Sequence, residues 1–203
     1  MDWSTLATDA SLENAKAALE ANNINVIIVD SAEAAKSKVI ELVPQGAEVM
    51  TATSVTLTDT GIESEINESG KYNSVKTKLS SMNRETQSGE MQKLGAAPEW
   101  IIGSVHAVTE DGKVVVASNT GSQLPGYTYG AAHVVWVVGA QKVAKNLDDA
   151  MKRIYDYVLP LESERAHKAY GVPGSFVSKL FILNKEVNPQ RITLIFVKEK
   201  LGF

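Results

Sequence analysis

Two short runs of β-branched residues constrain this chain more than any other feature. Ile24 to Val29 reads INVIIV, and Val134 to Val138 reads VVWVV. Neither alternates cleanly between apolar and polar residues. Each is therefore read as a buried strand of the kind found in parallel sheets covered by helices. The neighbours of the first run agree. Leu12, Ala15, Ala18 and Leu19 recur at helical spacing from Ser11, and Asn22-Asn23 ends that helix. After the strand, Asp30 stands at an N-cap with Glu33 three residues on, and the second helix runs to about Leu42, before Pro44 and Gly46. Glu48 to Met50 starts another strand. Strands joined by helices imply parallel pairing with right-handed crossovers.

From Ser54 to Ile66 the apolar residues Leu57, Ile62 and Ile66 are loosely helical, with Gly61 interrupting them. Residues 63–81 are polar and are expected to form a surface excursion, its lysines Lys71, Lys76 and Lys78 solvated. A helix is predicted over Arg84–Leu94. Ile101–Thr109 and Lys113–Ser118 then read as strands around Asp111-Gly112, a strong hairpin signal. With a two-residue turn, Glu110 faces Lys113, His106 faces Ala117 and Ser104 faces Asn119. Ser104, His106 and Glu110 then share one face with Asn119, unless the register slips by one. Leu147, Ala150, Met151, Ile154, Tyr155 and Val158 form an apolar helical stripe that Asn146 can cap and Pro160 breaks or kinks. Phe181–Leu183 and Ile192–Val197 are the last strands. No repeat or linker divides residues 1–203. The predicted fold class is a single α/β domain: a mostly parallel sheet flanked by helices, with an embedded β-hairpin.

Composition excludes several functions. The 203 residues suffice for a core without covalent staples, and there is no cysteine. Disulfides, a cysteine nucleophile, zinc thiolates and an ordinary iron–sulfur cluster are excluded within this chain. The formal charge of −4 argues against a general nucleic-acid binder. No apolar stretch is long enough to insert in a membrane. Met1 to Ala10 carry Asp2 and Asp9 and no apolar core, so no signal peptide is read there and a cytoplasmic location is expected. The three histidines match no compact metal motif, and no cofactor is identified.

The expected ligand is a small anion, held at polar loops beyond strand ends. Asn119, Thr120, Gly121 and Ser122 follow an apolar strand. Gly121 would let the backbone bend and offer free amides as an anion nest; the alternative is an ordinary polar turn. Thr53 and Ser54 open a hydroxyl-rich stretch to Gly61, read either as a second anion-binding edge or as helix caps. His106 is a candidate proton shuttle or a hydrogen-bonded core residue, and Glu110 a candidate proton carrier or a solvated hairpin residue. Lys142 stands just beyond the second buried strand, where a cation could reach an anion or simply be solvated. Arg165 could clamp a carboxylate or pair with Glu162.

Several longer matches carry a resemblance. They are Ser104-Val-His-Ala-Val-Thr-Glu-Asp-Gly112, Ser118-Asn-Thr-Gly-Ser-Gln-Leu124, Tyr129-Gly-Ala-Ala-His-Val-Val135, Val138-Gly-Ala-Gln-Lys142, Tyr157-Val-Leu-Pro-Leu-Glu162 with Arg165, and Lys198-Glu-Lys-Leu-Gly-Phe203. In this order they resemble the LUD domain family, named for lactate utilisation. The resemblance implies a fold like that of sugar-phosphate isomerases and coenzyme A transferases, with anionic ligands at strand-end loops. It places Thr53 and Ser54 at a first loop, Asn119 to Ser122 at a second, and Glu110 as the matched carboxylate. It also implies either a small enzyme or a partner for an iron–sulfur redox subunit, since some relatives serve L-lactate oxidation. A homodimer is expected only because twofold assemblies are common.

Overall fold

The computed structural model describes residues 2–203. In chain order its strands are β1 (Asn25–Val29), β2 (Glu48–Thr51), β3 (Asn73–Ser74), β4 (Trp100–Gly103), β5 (Ala107–Thr109), β6 (Val114–Ser118), β7 (His133–Gly139), β8 (Val143–Ala144), β9 (Lys179–Leu183) and β10 (Ile192–Val197). Its α-helices are α1 (Asp9–Ala21), α2 (Ala32–Leu42), α3 (Val55–Asp59), α4 (Ile62–Glu68), α5 (Val75–Ser80), α6 (Ser88–Ala96), α7 (Leu147–Arg153) and α8 (Leu159–Tyr170).

Six strands form a sheet in the order β1-β10-β7-β4-β2-β3, with every pairing parallel. The apolar run of β7 lies at its centre and is buried throughout from Val134 to Val138. The similar run of β1 is an edge strand, only half-buried beyond Val26. One face of the sheet packs against α2, α3 and α4 through Ala35, Val39, Leu57, Ile62 and Ile66. The other packs against α1 and a second, mixed sheet, β8-β5-β6-β9, where Leu12 and Leu19 meet Trp136, Val108 and Val116. The far side of that second sheet rests on Ala150 and Ile154 of the long C-terminal helical segment.

Caps set the helix starts. Thr8 Oγ1 accepts the Ser11 amide and Ser31 Oγ accepts the Ala34 amide, so Ser31 rather than Asp30 is the cap of α2. The helix predicted from Arg84 begins only at Ser88. Asn83 Oδ1 takes the Glu85 amide at 2.8 Å, a local turn that competes with helix.

Four further expectations are corrected. The polar stretch 63–81 is no excursion: it contributes α4, edge strand β3 and α5, anchored by buried Ile66, Tyr72 and Val75. The run Ile101–Thr109 is two strands in two sheets, with Ser104 to His106 crossing between them.

The hairpin register differs by one residue, since Ala107 pairs with Val115 and Val108 with Val114. The turn has three residues, closed by Thr109 N–H to Lys113 O, with Gly112 in the left-handed region at φ 83°. Docking on α1 goes with this geometry. Asn22 Nδ2 donates to Gly112 O, and a Cβ on Gly112 would lie 2.8 Å from the Ala18 carbonyl.

Finally, Pro160 does not break its helix. A π-turn over Ile154–Val158 joins α7 to α8, so the wider turn absorbs the proline that an unbroken α-helix would exclude.

Close backbone approach also fixes the entry to β7. A Cβ on Gly130 would sit 1.9 Å from Ala96 O and 2.9 Å from Ala96 C, both immobile backbone atoms. Gly130→Ala should therefore lower stability by about 1–3 kcal/mol, seen as a fall in the urea midpoint. A wild-type midpoint would mean that the two segments are not so closely packed.

Candidate functional site

Strands β7, β4 and β2 are neighbours in the parallel sheet, so their carboxyl ends lie side by side. Ligands of open α/β sheets bind beyond such ends. The chain leaves β2 towards Thr56 in α3, leaves β4 at Ser104, and leaves β7 into a short 3-10 turn, Ala140–Lys142. These three exits converge. Lys142 Nζ donates to Thr56 Oγ1 at 2.9 Å and to Ser104 Oγ at 3.1 Å.

The C-terminal segment locks this arrangement. Thr56 Oγ1 gives its own proton to Leu201 O at 3.2 Å, leaving its lone pairs for the ammonium. Gln141 grips the same residue, with Nε2 donating to Leu201 O at 2.8 Å and Oε1 accepting the Leu201 amide at 3.4 Å. Gly139 must be glycine for this close packing, because a Cβ there would meet Gln141 Oε1 at 2.2 Å and the Leu201 amide nitrogen at 2.7 Å.

Lys142 is only 3% exposed, and among the described residues no carboxylate pairs with it. Burial first, and then the nearby Arg153 guanidinium, push its pKa down to about 7, against a weaker opposing pull from Asp59.

Arg153 is itself completely buried. Its Nη1 donates to His106 O at 2.6 Å and its Nε to Gln141 O at 3.4 Å, with Tyr157 5.4 Å from the guanidinium. Burial lowers its pKa to about 10, so it stays charged at neutral pH. One guanidinium nitrogen, Nη2, has no hydrogen-bond partner.

His106 Nδ1 accepts the Ala117 amide at 3.1 Å, so the neutral ring carries its proton on Nε2. Burial, then Lys142 and Arg153, lower its pKa to about 3, and the ring stays neutral above that pH.

Thr56, Ser104, His106 and Lys142 border a cleft of about 990 Å³, with Arg153 behind them. It is lined by Thr53, Ser54, His106, Asn119, Thr120, Ser122, Lys142 and Arg165, which brings eight of the expected residues together. Their roles differ from those expected. Gly121 does not line the cleft, and its amide is taken by Ser118 Oγ at 2.9 Å. The Ser122 amide goes to Thr120 Oγ1 at 3.3 Å, so the expected nest of open amides at these positions is replaced by a self-bonded turn. Ser178 Oγ donates to Asn119 Oδ1 and Lys179 Nζ to Asn119 O, pinning the loop to β9.

Ser54 Oγ caps α3 by accepting the Leu57 amide, which is the helix-cap reading of that stretch. Arg165 is held bidentately by Glu162, both bonds at 2.7 Å. Glu110 is outside the cleft. It lies at the far end of the hairpin from His106, its amide bonded to Ala144 O. The one-residue register change removes the shared face that had joined Glu110 to Asn119.

Thr56, Ser104 and Arg153 complete the centre and were not singled out as site residues. Arg153 left one signal: it lies three residues after Ala150, on the flank of an otherwise apolar helical stripe. Among the described residues no cluster of three or more His, Asp or Glu side chains is placed to hold a metal, and no helix is long and apolar enough to cross a membrane.

A DUF162-family protein from Deinococcus radiodurans, solved by crystallography, has a similar fold at a TM-score of 0.59 and 9% identity. The match covers 95% of this chain and 99% of that one. No curated protein matches this chain. The sequence pattern of the LUD domain matches residues 12–197, nearly the whole chain, and the protein therefore belongs to the LUD domain family.

Proposed function

We propose that the chain is an enzyme, or the substrate-binding part of one, that takes an anionic metabolite into the cleft with its charged end against Lys142. The ligand is an organic acid or a phosphate ester. The observation that carries this reading is the buried Lys142 ammonium, with two hydroxyl partners and no carboxylate. Taking an ammonium out of water costs several kcal/mol unless an anion offsets it. A bound carboxylate or phosphate supplies that partner, and Arg153 adds a second positive charge behind it. Fixed donors around such a position stabilise negative charge developing on a substrate, as in an enolate or oxyanion.

The proton-carrying role expected of Glu110 and His106 passes to Lys142. Glu110 is outside the cleft, and His106 stays neutral at neutral pH, suited to donate a hydrogen bond from Nε2. Lys142, with a pKa near 7, can both hold a proton and release one at neutral pH. The alternative, a non-catalytic subunit docking a redox partner, would be favoured by a contiguous apolar patch around Tyr127 and Tyr129. Tyr127 is buried, which leaves Tyr129 exposed alone, and single exposed apolar residues are ordinary.

Anion binding to the ammonium should weaken as Lys142 loses its proton. The affinity for lactate, whose own charge is constant there, should fall above pH 7, approaching about tenfold per pH unit. Lys142→Met should abolish that dependence and weaken binding at pH 6.5 by at least about tenfold. Calorimetric titration checks both, and unchanged binding by the variant would refute the assignment. Without ligand the effect on stability reverses. The amine binds a proton less readily folded than unfolded, so its cost is full below pH 7 and is relieved as pH rises from 7 towards 10.5. Lys142→Met should then be more stable than wild type below pH 7 by on the order of 1 kcal/mol, with the gap closing above it.

His106 titrates in the opposite part of the range. Its neutral form is favoured on folding, so the associated stability is complete above pH 6.5 and is lost as pH falls towards 3. His106→Ala should flatten the acid limb of the stability profile. It should also cost about 1–3 kcal/mol at pH 7 by leaving the Ala117 amide unpaired. An unaltered acid limb in chemical-denaturation curves would show that His106 is not held neutral as described.

A further inference from the structure

The cleft is much larger than a three-carbon acid or inorganic phosphate requires. Its volume of about 990 Å³ stands at the top of the range for drug-sized ligands, roughly 300–1,000 Å³. An anion against Lys142 fills only part of it. Apolar side chains line it as well: Leu159 from the helical segment, Phe176 and Val177 from the irregular stretch before β9, and Phe203. Phe176 is 67% exposed, a large apolar surface left in water beside the cavity.

The charged groups on the walls are already neutralised. Arg165 is held by Glu162, and Lys76 pairs with Glu63. Arg84 adds a cation only as an exposed residue. The lining thus combines one buried cation without a carboxylate, charges that are already paired, and apolar side chains. A polyanion finds no second buried cation along the walls, and a purely apolar ligand leaves Lys142 without its counter-ion.

We infer that the cleft takes an amphiphilic organic anion, a carboxylate or phosphate monoester whose head reaches Lys142 and whose apolar body lies against Leu159, Phe176 and Val177. This rests on the anion-binding reading of Lys142 and narrows its substrate class. Each methylene moved from water onto this wall should tighten binding by up to about fourfold.

The test uses two ligand series below their micelle concentrations, measured by calorimetry. One runs from lactate through 2-hydroxyhexanoate to 2-hydroxyoctanoate, the other from methyl to octyl phosphate. Affinity should rise with chain length in at least one series, and the series that rises identifies the head group. Phe176→Ser, a change at an exposed position, should flatten that rise while leaving the shortest member unaffected. Lys142→Met should weaken every member.

If short members bind as tightly as long ones in both series, the amphiphile inference fails while the anion site stands. If long members bind Lys142→Met as well as wild type, the binding is mere adsorption, and both readings fail. The absence of binding by any member also defeats both. If Phe176→Ser leaves the chain-length rise intact but dissociates a dimer in sedimentation, the aromatic surface is a contact between copies, and the inference is overturned.

Discussion

The architecture of the site depends on one buried ammonium, Lys142, hydrogen-bonded to the hydroxyls of Thr56 and Ser104. None of these residues is near another in sequence. They meet because β7, β4 and β2 are adjacent and parallel, so three chain exits open on the same edge of the sheet. Parallel order in turn requires strands that bear burial on both faces, which the sequence of β7 supplies. The ammonium is held from behind as well. Leu201 binds both Thr56 and Gln141, and Arg153 ties the Gln141 carbonyl to the His106 carbonyl. A change at any of these supports should displace the ammonium.

This arrangement also explains why the centre is electrostatically unsettled. Lys142 and Arg153 are two cations in a poorly solvated region, with only Asp59 acting at a distance to favour the lysine's charge. Burial alone would lower the proton affinity of either. Their mutual repulsion falls mainly on the lysine, because an arginine is far harder to deprotonate. An arginine with one unpartnered guanidinium nitrogen is costly in a packed interior. Such a cost is common where a site is shaped for a ligand rather than for stability.

The fold was largely legible in the sequence because its strongest signals are local. The β7 run, the stripe from Leu147 to Val158 and the cap at Asn146 reflect short-range periodicity and hydrogen bonding, whereas Asp30 was read as the cap that Ser31 provides. Errors arose where tertiary contacts decided the outcome. Docking of the hairpin tip on Ala18 and Asn22 goes with a three-residue turn at Gly112, which no reading of Asp-Gly alone distinguishes from a two-residue one. Three apolar anchors, Ile66, Tyr72 and Val75, were enough to fold a stretch whose average composition is polar. Pro160 was accommodated by a π-turn, a device with no clear local signature.

Eight residues singled out in the sequence line one cleft, but how each is engaged was not legible. Sequence identifies which hydroxyls, amides and cations are present, not which are already engaged. Ser54 is consumed by a helix cap, the Gly121 amide by Ser118, and Arg165 by Glu162. Lys142 looks like any lysine until the burial of its surroundings is known. The most direct test of the account is an NMR pH titration of the unliganded protein with its lysine side chains isotopically labelled, assigning Lys142 by comparison with Lys142→Met. Lys142 should titrate with a midpoint near pH 7. A midpoint close to the ordinary value of 10.5 would show a solvated ammonium and contradict it.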